Sequence, residues 1–403
     1  MVIGTTVYIA GTWDTKAKEL DFLASLVRAD GLTTQTVDLS TSSSDSAHCV
    51  DVTAAMVAEH HPNGPSAVFS GDRGSAIDAM TLAFDRFVAS QTDIAGILAI
   101  GGSGGTALVA PAMRKLPLGL PKIIVSTMMS GNIAGYVGQS DIMMIYPVAD
   151  LAGLNRITRP VLANAAMAMI GMVRGHTLAP GGAEDKPIAG LTMFGVTTPC
   201  VRMVSEALEH RFDCIPFHAT GVGGQAMMSL VQMGMIDAVL DLTTTEIADM
   251  IVGGIFPAQA DRFDPLARHS VPYVGSCGAL DMVNFGPLES MPAKFSERNI
   301  YKHNSQITLI RTTPEENAAI GQWIGAQLNR SIGEVRFLIP ERGVSALDAP
   351  GMPFHDPDAN ARLFASIENT VRRTDSRHIL RLPYHINDRE FAEAIVGQLG
   401  EIA

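Results

Sequence analysis

Gly101-Gly102-Ser103-Gly104-Gly105-Thr106 sits inside LAIGGSGGTALVAPAM, residues 98–113, where an apolar run turns into small helix formers. Glycines at the end of a strand permit positive φ and let backbone amides approach an anion, and a helix starting there adds partial positive charge. Such a turn suits a phosphate or a carboxylate, and by itself reads equally as a tight turn that holds nothing. Three more turns of this kind occur in the first half: Gly11-Thr12-Trp13-Asp14-Thr15-Lys16 after VYIA, Ser70-Gly71-Asp72-Arg73-Gly74 after AVF, and Ser126-Thr127-Met128-Met129-Ser130-Gly131-Asn132 after IIV. Lys16 is a cation for a phosphate or a solvated helix residue. Asp14, Asp72 and Asp141 offer the oxygen ligands magnesium takes, although each reads first as an N-cap or turn aspartate. No Lys-Ser/Thr pair follows the glycines, as in a Walker A loop, and no spaced G-x-G-x-x-G is present.

The second half has its own polar concentrations. Thr197 and Thr198 precede Pro199, a first-turn proline. FHATGVGGQA, residues 217–226, sets His218 beside Thr220, Gly221, Gly223 and Gly224, a second anion turn with an acid/base next to it. Residues 261–286 read as a long polar loop carrying Arg268, His269, Ser276, Cys277, Asp281 and Asn284. If the protein carries out a reaction, His218, Arg268 and His269 are the expected catalytic groups. Cys277 reads as a buried thiol before it reads as a nucleophile. The helical H-E-x-x-H signature is missing, so no residue is assigned to a metal.

Strand-like and helix-like runs alternate along the chain, which predicts an α/β protein: two Rossmann-like, doubly wound domains with mostly parallel sheets and a cleft between them. The Gly, Pro and charge of MVRGHTLAPGGAEDKP mark the linker, giving a nucleotide-binding domain over 1–180 and a second α/β domain over 187–403. Ligands of such sheets sit beyond the carboxyl ends of the strands, where the turns gather. A length of 403 residues with 47% apolar side chains supports two cores, and a net charge of −12 argues against nucleic acid or an anionic membrane as partner. The four scattered cysteines fit a reducing compartment, and the opening MVIGTTVYIAGTWDTK has no basic region or cleavage site. A soluble, cytoplasmic protein is expected.

The ordered blocks GTWDTKAKEL, GGSGGT, STMMSGN, YPVADLAGLNRI, FGVTTPCV, FHATGVGGQAM, DRFDPLARHSVPYVGSCGALDMVNFG, KFSERNIYKHNSQITLIRTTPEEN, IPERGVSALDAPGMPFHDPDA and HINDREFAEA span nearly the whole chain. Together they resemble the ATP-binding family related to the tomato mosaic virus resistance protein. The resemblance implies ATP in the first domain's glycine turns and self-association into a homodimer; Mg2+ would accompany the ATP where the Asp side chains named above serve as its ligands. It also implies the nucleotide contacts: Gly11, Thr12, Asp14, Thr15 and Lys16; Gly101, Gly102, Ser103, Gly104, Gly105 and Thr106; and Thr127, Ser130, Gly131 and Asn132. In the plant protein a TIM-barrel portion follows, which this chain is not expected to contain, and the antiviral role is not carried over. Three functions stay open: an ATP-binding protein that acts on or senses a small metabolite, a nucleotide-dependent module that works with a separate TIM-barrel protein, and an enzyme for a phosphorylated or carboxylated metabolite.

Overall fold

The computed structural model describes residues 4–43, 48–131, 133–178 and 186–403. It divides into two compact units, 1–182 and 183–403.

The first unit runs β1 (Thr6–Gly11), α1 (Trp13–Ala29), β2 (Thr33–Asp38), α2 (Ala54–Ala58), α3 (Arg73–Ser90), β3 (Ile94–Gly101), α4 (Ser103–Lys115), β4 (Lys122–Ser126), α5 (Ala134–Val137), β5 (Met143–Ile145) and α6 (Thr158–Leu178). All eight residues of β3 are buried, as its unbroken apolar run requires of a central parallel strand. Side chains alternate between faces along each strand. Val7, Ile9, Leu98 and Ile100 pack under α1 and α6, whereas Tyr8, Ala10, Ile97 and Ala99 pack under α2, α3 and α4. Helix α1 meets the sheet with Leu20, Leu23, Ala24 and Val27, one stripe at helical spacing. The strand order is β2-β1-β3-β4-β5, with every pairing parallel. The winding reverses between β1 and β3, which leaves a crevice beyond the ends of those two strands.

The second unit contains β6 (Ile188–Met193), α7 (Thr198–Leu208), β7 (Asp213–His218), α8 (Val222–Gln232), β8 (Ala238–Thr243), α9 (Thr245–Val252), β9 (Tyr273–Gly278), β10 (Met282–Phe285), β11 (Ile300–Lys302), β12 (Thr308–Arg311), α10 (Pro314–Leu328), β13 (Val335–Pro340), α11 (Pro357–Thr370), β14 (Arg377–Leu382) and α12 (Arg389–Ile402). Its main sheet, β14-β13-β9-β8-β6-β7, is again parallel throughout. Helices α7 and α12 cover one face, and α8 to α11 the other. Pro216 is tolerated in β7 because that strand is an edge. Both units are therefore doubly wound α/β folds.

Two local expectations are corrected. AVF is not a strand: Pro65–Ala67 form a single 3-10 turn, entered through Gly64 at φ 74°. Residues 261–286 are not a loop. They hold a 3-10 turn (Asp264–Ala267), β9 and β10, and β10 belongs to a small antiparallel sheet, β10-β12-β11, that the sequence pattern did not reveal. Four of the residues that suggested a loop, Ser276, Cys277, Asp281 and Asn284, are buried: Ser276 Oγ donates to Leu338 O at 2.8 Å, and the Asn284 amide donates to Asp249 at 2.8 Å. Among the described residues no helix is long and apolar enough to cross a membrane.

Candidate functional site

A pocket of about 670 Å³ opens at the β1/β3 crevice of the first unit. Its wall brings together the β1–α1 turn (Thr12, Asp14, Thr15, Lys16), the β3–α4 turn (Gly102, Ser103, Gly104, Gly105) and the start of α3 (Asp72, Arg73, Ile77). Three helices thus begin at the pocket, and the first amides of each need partners. In α1 they have them: Trp13 N donates to Asp38 Oδ1 at 3.2 Å and Asp14 N to Ser40 Oγ at 3.0 Å. In α3, Asp72 caps the Ser75 amide at 2.9 Å. Among the described residues no side chain caps α4, whose N-cap is Gly102. The amides of Ser103, Gly104 and Gly105 therefore form the uncapped, partially positive end of a helix that faces a cavity.

The turn depends on Gly101. A Cβ there would stand 2.8 Å from Gly105 C and Thr106 N, so only glycine lets α4 start this close to the end of β3. Thr106 is buried and bonds Ser126 Oγ at 2.6 Å, which ties the turn to β4. Gly11, Gly101 and Thr106 thus support the pocket from below rather than line it. Thr127 and Ser130 bound a 3-10 turn beyond β4 and Gly131 follows it; none is in the wall, although Thr127 Oγ1 lies 3.8 Å from where a Cβ on Gly102 would stand. Asn132 lies outside the described residues. Charge in the wall comes from Lys16 and Arg73 against Asp14 and Asp72. Asp14 accepts from Ser42 Oγ at 2.7 Å. Asp141 is elsewhere, paired with the buried Lys122 at 2.6 Å. Among the described residues no cluster of three or more His, Cys, Asp or Glu is poised for a metal. Thr41 and Ser42 were not anticipated as lining residues; the signal was the polar run after β2, a strand adjoining β1.

The structure does not bring His218, Arg268 and His269 together. His218 ends β7 at the carboxyl edge of the main sheet, with its ring against Phe194 at 5.3 Å. Arg268 and His269 come just before β9, at the opposite edge, where neighbouring Leu266 O accepts from Ile332 N ahead of β13. A six-residue strand separates those edges by about 20 Å. Arg268 is exposed and pairs loosely with Asp264 at 3.6 Å. Cys277 is fully buried in β9, and burial pushes its thiol well up. The concentrated charge lies inside the unit. Arg262, fully buried, clamps Asp241 with two bonds of 2.7 and 2.8 Å and also bonds Glu246 through Nε. Asp241 accepts further from Thr192 and Tyr273, and Glu246 holds the Gly221 amide at 2.8 Å.

The N-terminal domain of an uncharacterised protein family, UPF0261, matches residues 5–178, and its C-terminal domain matches residues 186–403. The chain belongs to the UPF0261 family. A UPF0261 protein of Rhizobium meliloti (strain 1021) is 53% identical over 98% of this chain and 99% of its own length. A UPF0261 protein of Clostridium tetani is 41% identical over 98% of each. The ToMV resistance protein Tm-1 of Solanum lycopersicum is 42% identical over 98% of this chain but only 56% of its own length. The solved glycosyltransferase SnogD of Streptomyces nogalater aligns with 99% of this chain and 100% of its own at 10% identity and a TM-score of 0.18, a likeness that carries no argument.

Burial raises further carboxylates in the second unit of this UPF0261 chain, Asp249, Asp281 and Asp348 among them, and ties its stability to pH. Burial raises Asp249 to about 7, against opposing bonds from Asn284 and Phe256. Burial, then the neighbouring Asp348, raises Asp281 as well. A folded-state pKa above the unfolded one means that the native form holds protons the unfolded chain releases. Their stabilising contribution is complete below the unfolded value of 3.8 and is lost as pH rises toward about 7. The second unit is expected to lose roughly 2–3 kcal/mol between pH 5 and pH 8 from Asp249 alone. Urea unfolding across that range should show the fall, and Asp249→Asn should flatten it. A profile that is flat in the parent chain overturns the assignment.

Proposed function

We propose that this UPF0261 protein is a cytoplasmic ATP-binding protein and that its first unit holds the nucleotide in the β1/β3 pocket. The observation that carries the reading is the bare N-terminus of α4: of the three helices that start at the pocket, it is the one whose first turn no side chain caps among the described residues. The triphosphate is placed against Ser103, Gly104 and Gly105, with Lys16 and Arg73 supplying charge. Ala76, Ile77 and Leu108 give the same wall an apolar side for the rest of the nucleotide. Asp14 and Asp72 suit a magnesium ion that arrives with the phosphates, since magnesium commonly takes one or two carboxylates and fills its other positions with phosphate oxygens and water. The volume, about 670 Å³, lies within the roughly 300–1,000 Å³ of small-molecule sites. The proposal stops at binding, because His218 and the pair Arg268 and His269 sit at opposite sheet edges.

Thermal melts with Mg-ATP, ADP, GTP and inorganic phosphate test the reading. A ligand at a hundredfold excess over its Kd stabilises the native state by about 2.7 kcal/mol. For a unit of this size that raises Tm by roughly 5–10 °C. No shift with any nucleotide at millimolar concentration removes the proposal, and a full shift with phosphate alone replaces it with a phosphorylated metabolite.

A further inference from the structure

Lys16 lines the pocket, yet its ammonium is already engaged: Nζ donates to Leu151 O at 2.8 Å. Leu151 is buried against α1. Two residues on, the Gly153 amide donates at 2.5 Å to Glu19, a buried carboxylate one turn along the same helix. The segment after β5 is thus fastened to α1 at two points, of which only Lys16 belongs to the pocket wall. Lys16 also departs from helical geometry inside α1, at φ −133° and ψ 24°. Within the fastened segment Val148 sits at φ 68°, a left-handed conformation that a β-branched residue rarely adopts. A local turn holds that conformation, with Ala149 N donating to Pro147 O at 2.8 Å, ahead of the fastenings at Leu151 and Gly153.

We propose that Lys16 couples occupancy of the pocket to the order of residues 146–154. An ammonium has three donors, so Lys16 can hold a phosphate oxygen and the Leu151 carbonyl together. The charge of the anion then fixes the ammonium where the carbonyl needs it. Such a coupling is reciprocal: whatever fastens the segment also tightens the anion. The inference rests on the nucleotide reading of the pocket and adds to it a segment, exposed at Tyr146 and Val148, whose order reports whether the pocket is filled.

Hydrogen–deuterium exchange on the full chain tests the coupling, with ATP binding measured separately by calorimetry. Mg-ATP is expected to slow exchange at amides 150–154 by about fivefold or more, the low end of ordinary coupling between sites. Lys16→Met should speed exchange there without ligand and remove the slowing with ATP. Glu19→Ala, a change outside the pocket wall, should weaken ATP by a similar factor through reciprocity. Calorimetric binding of ATP with unchanged exchange at 150–154 overturns the coupling and leaves the nucleotide reading standing. Unaltered ligand-free exchange in Lys16→Met also overturns it. No binding of ATP removes both readings.

Discussion

Gly104→Val is expected to abolish ATP binding while the ligand-free protein melts where the parent does. Gly104 is the second residue of α4, in the uncapped turn. A Cβ there meets only Ile77 Cδ1, at 3.2 Å, and that is the mobile tip of a side chain. Its φ is not in the left-handed region, so valine brings no backbone penalty of the kind the glycine-rich sequence suggested. The Cα–Cβ bond of a helical residue leans toward the N-terminus, which sets the two methyl groups at the mouth of the turn, over the amides an anion would use. The expected loss is at least a hundredfold in affinity, enough to erase a stabilisation of about 2.7 kcal/mol. Gly101→Ala is the contrasting variant: its Cβ collides with backbone at 2.8 Å, and it should lower Tm with or without ATP. If Gly104→Val binds ATP within about threefold of the parent, the turn does not hold the phosphates.

The sequence made the strands of the central sheets legible, because runs such as IAGILAI can only be buried on both faces. It also made the glycine turns visible as chemistry-bearing positions. Which turns meet was a property of strand order. The order β2-β1-β3-β4-β5 joins the turns after β1 and β3 and moves the turn after β4 one strand away. That is why Lys16 and Gly104 share a wall that Thr127 and Ser130 do not reach. The β1–α1 turn looked like an anion loop as well, but its amides are taken by Asp38 and Ser40, some 25 residues on, at the end of the neighbouring strand. Such caps are invisible to spacing along the chain. In the second unit, polar residues at 261–286 suggested an exposed loop because burial of Ser276 and Asn284 depends on partners that only the fold supplies. One signal there was readable: Asp241 stands inside the apolar strand AVLDLT, and a carboxylate in such a place demands a buried partner.

Arg262→Leu tests that partnership and should be the most damaging single change in the second unit. Arg262, Asp241 and Glu246 are all fully buried, so removing the guanidinium leaves two carboxylates without their cation. Breaking a buried pair in this way costs about 3–5 kcal/mol, far more than the intact pair contributes relative to apolar side chains. For a unit of this size the Tm falls by roughly 6–20 °C. Burial already raises Glu246, and Arg262 opposes that rise; without Arg262 the folded-state value climbs further. A raised carboxylate stabilises below its unfolded pKa and loses that contribution as pH increases, so the defect should be larger at pH 8 than at pH 5. Replacing Asp241, Glu246 and Arg262 together with apolar residues should recover part of the loss. Recovery is incomplete because Thr192, Tyr273 and the Gly221 amide each lose an acceptor. Urea unfolding of the three proteins at both pH values provides the comparison. A loss below about 1 kcal/mol for Arg262→Leu at pH 8 means water reaches these carboxylates and the network is not a closed core. The Gly221 contact adds a local readout: with Glu246 displaced, exchange at residues 219–223 should quicken even where the unit as a whole stays folded.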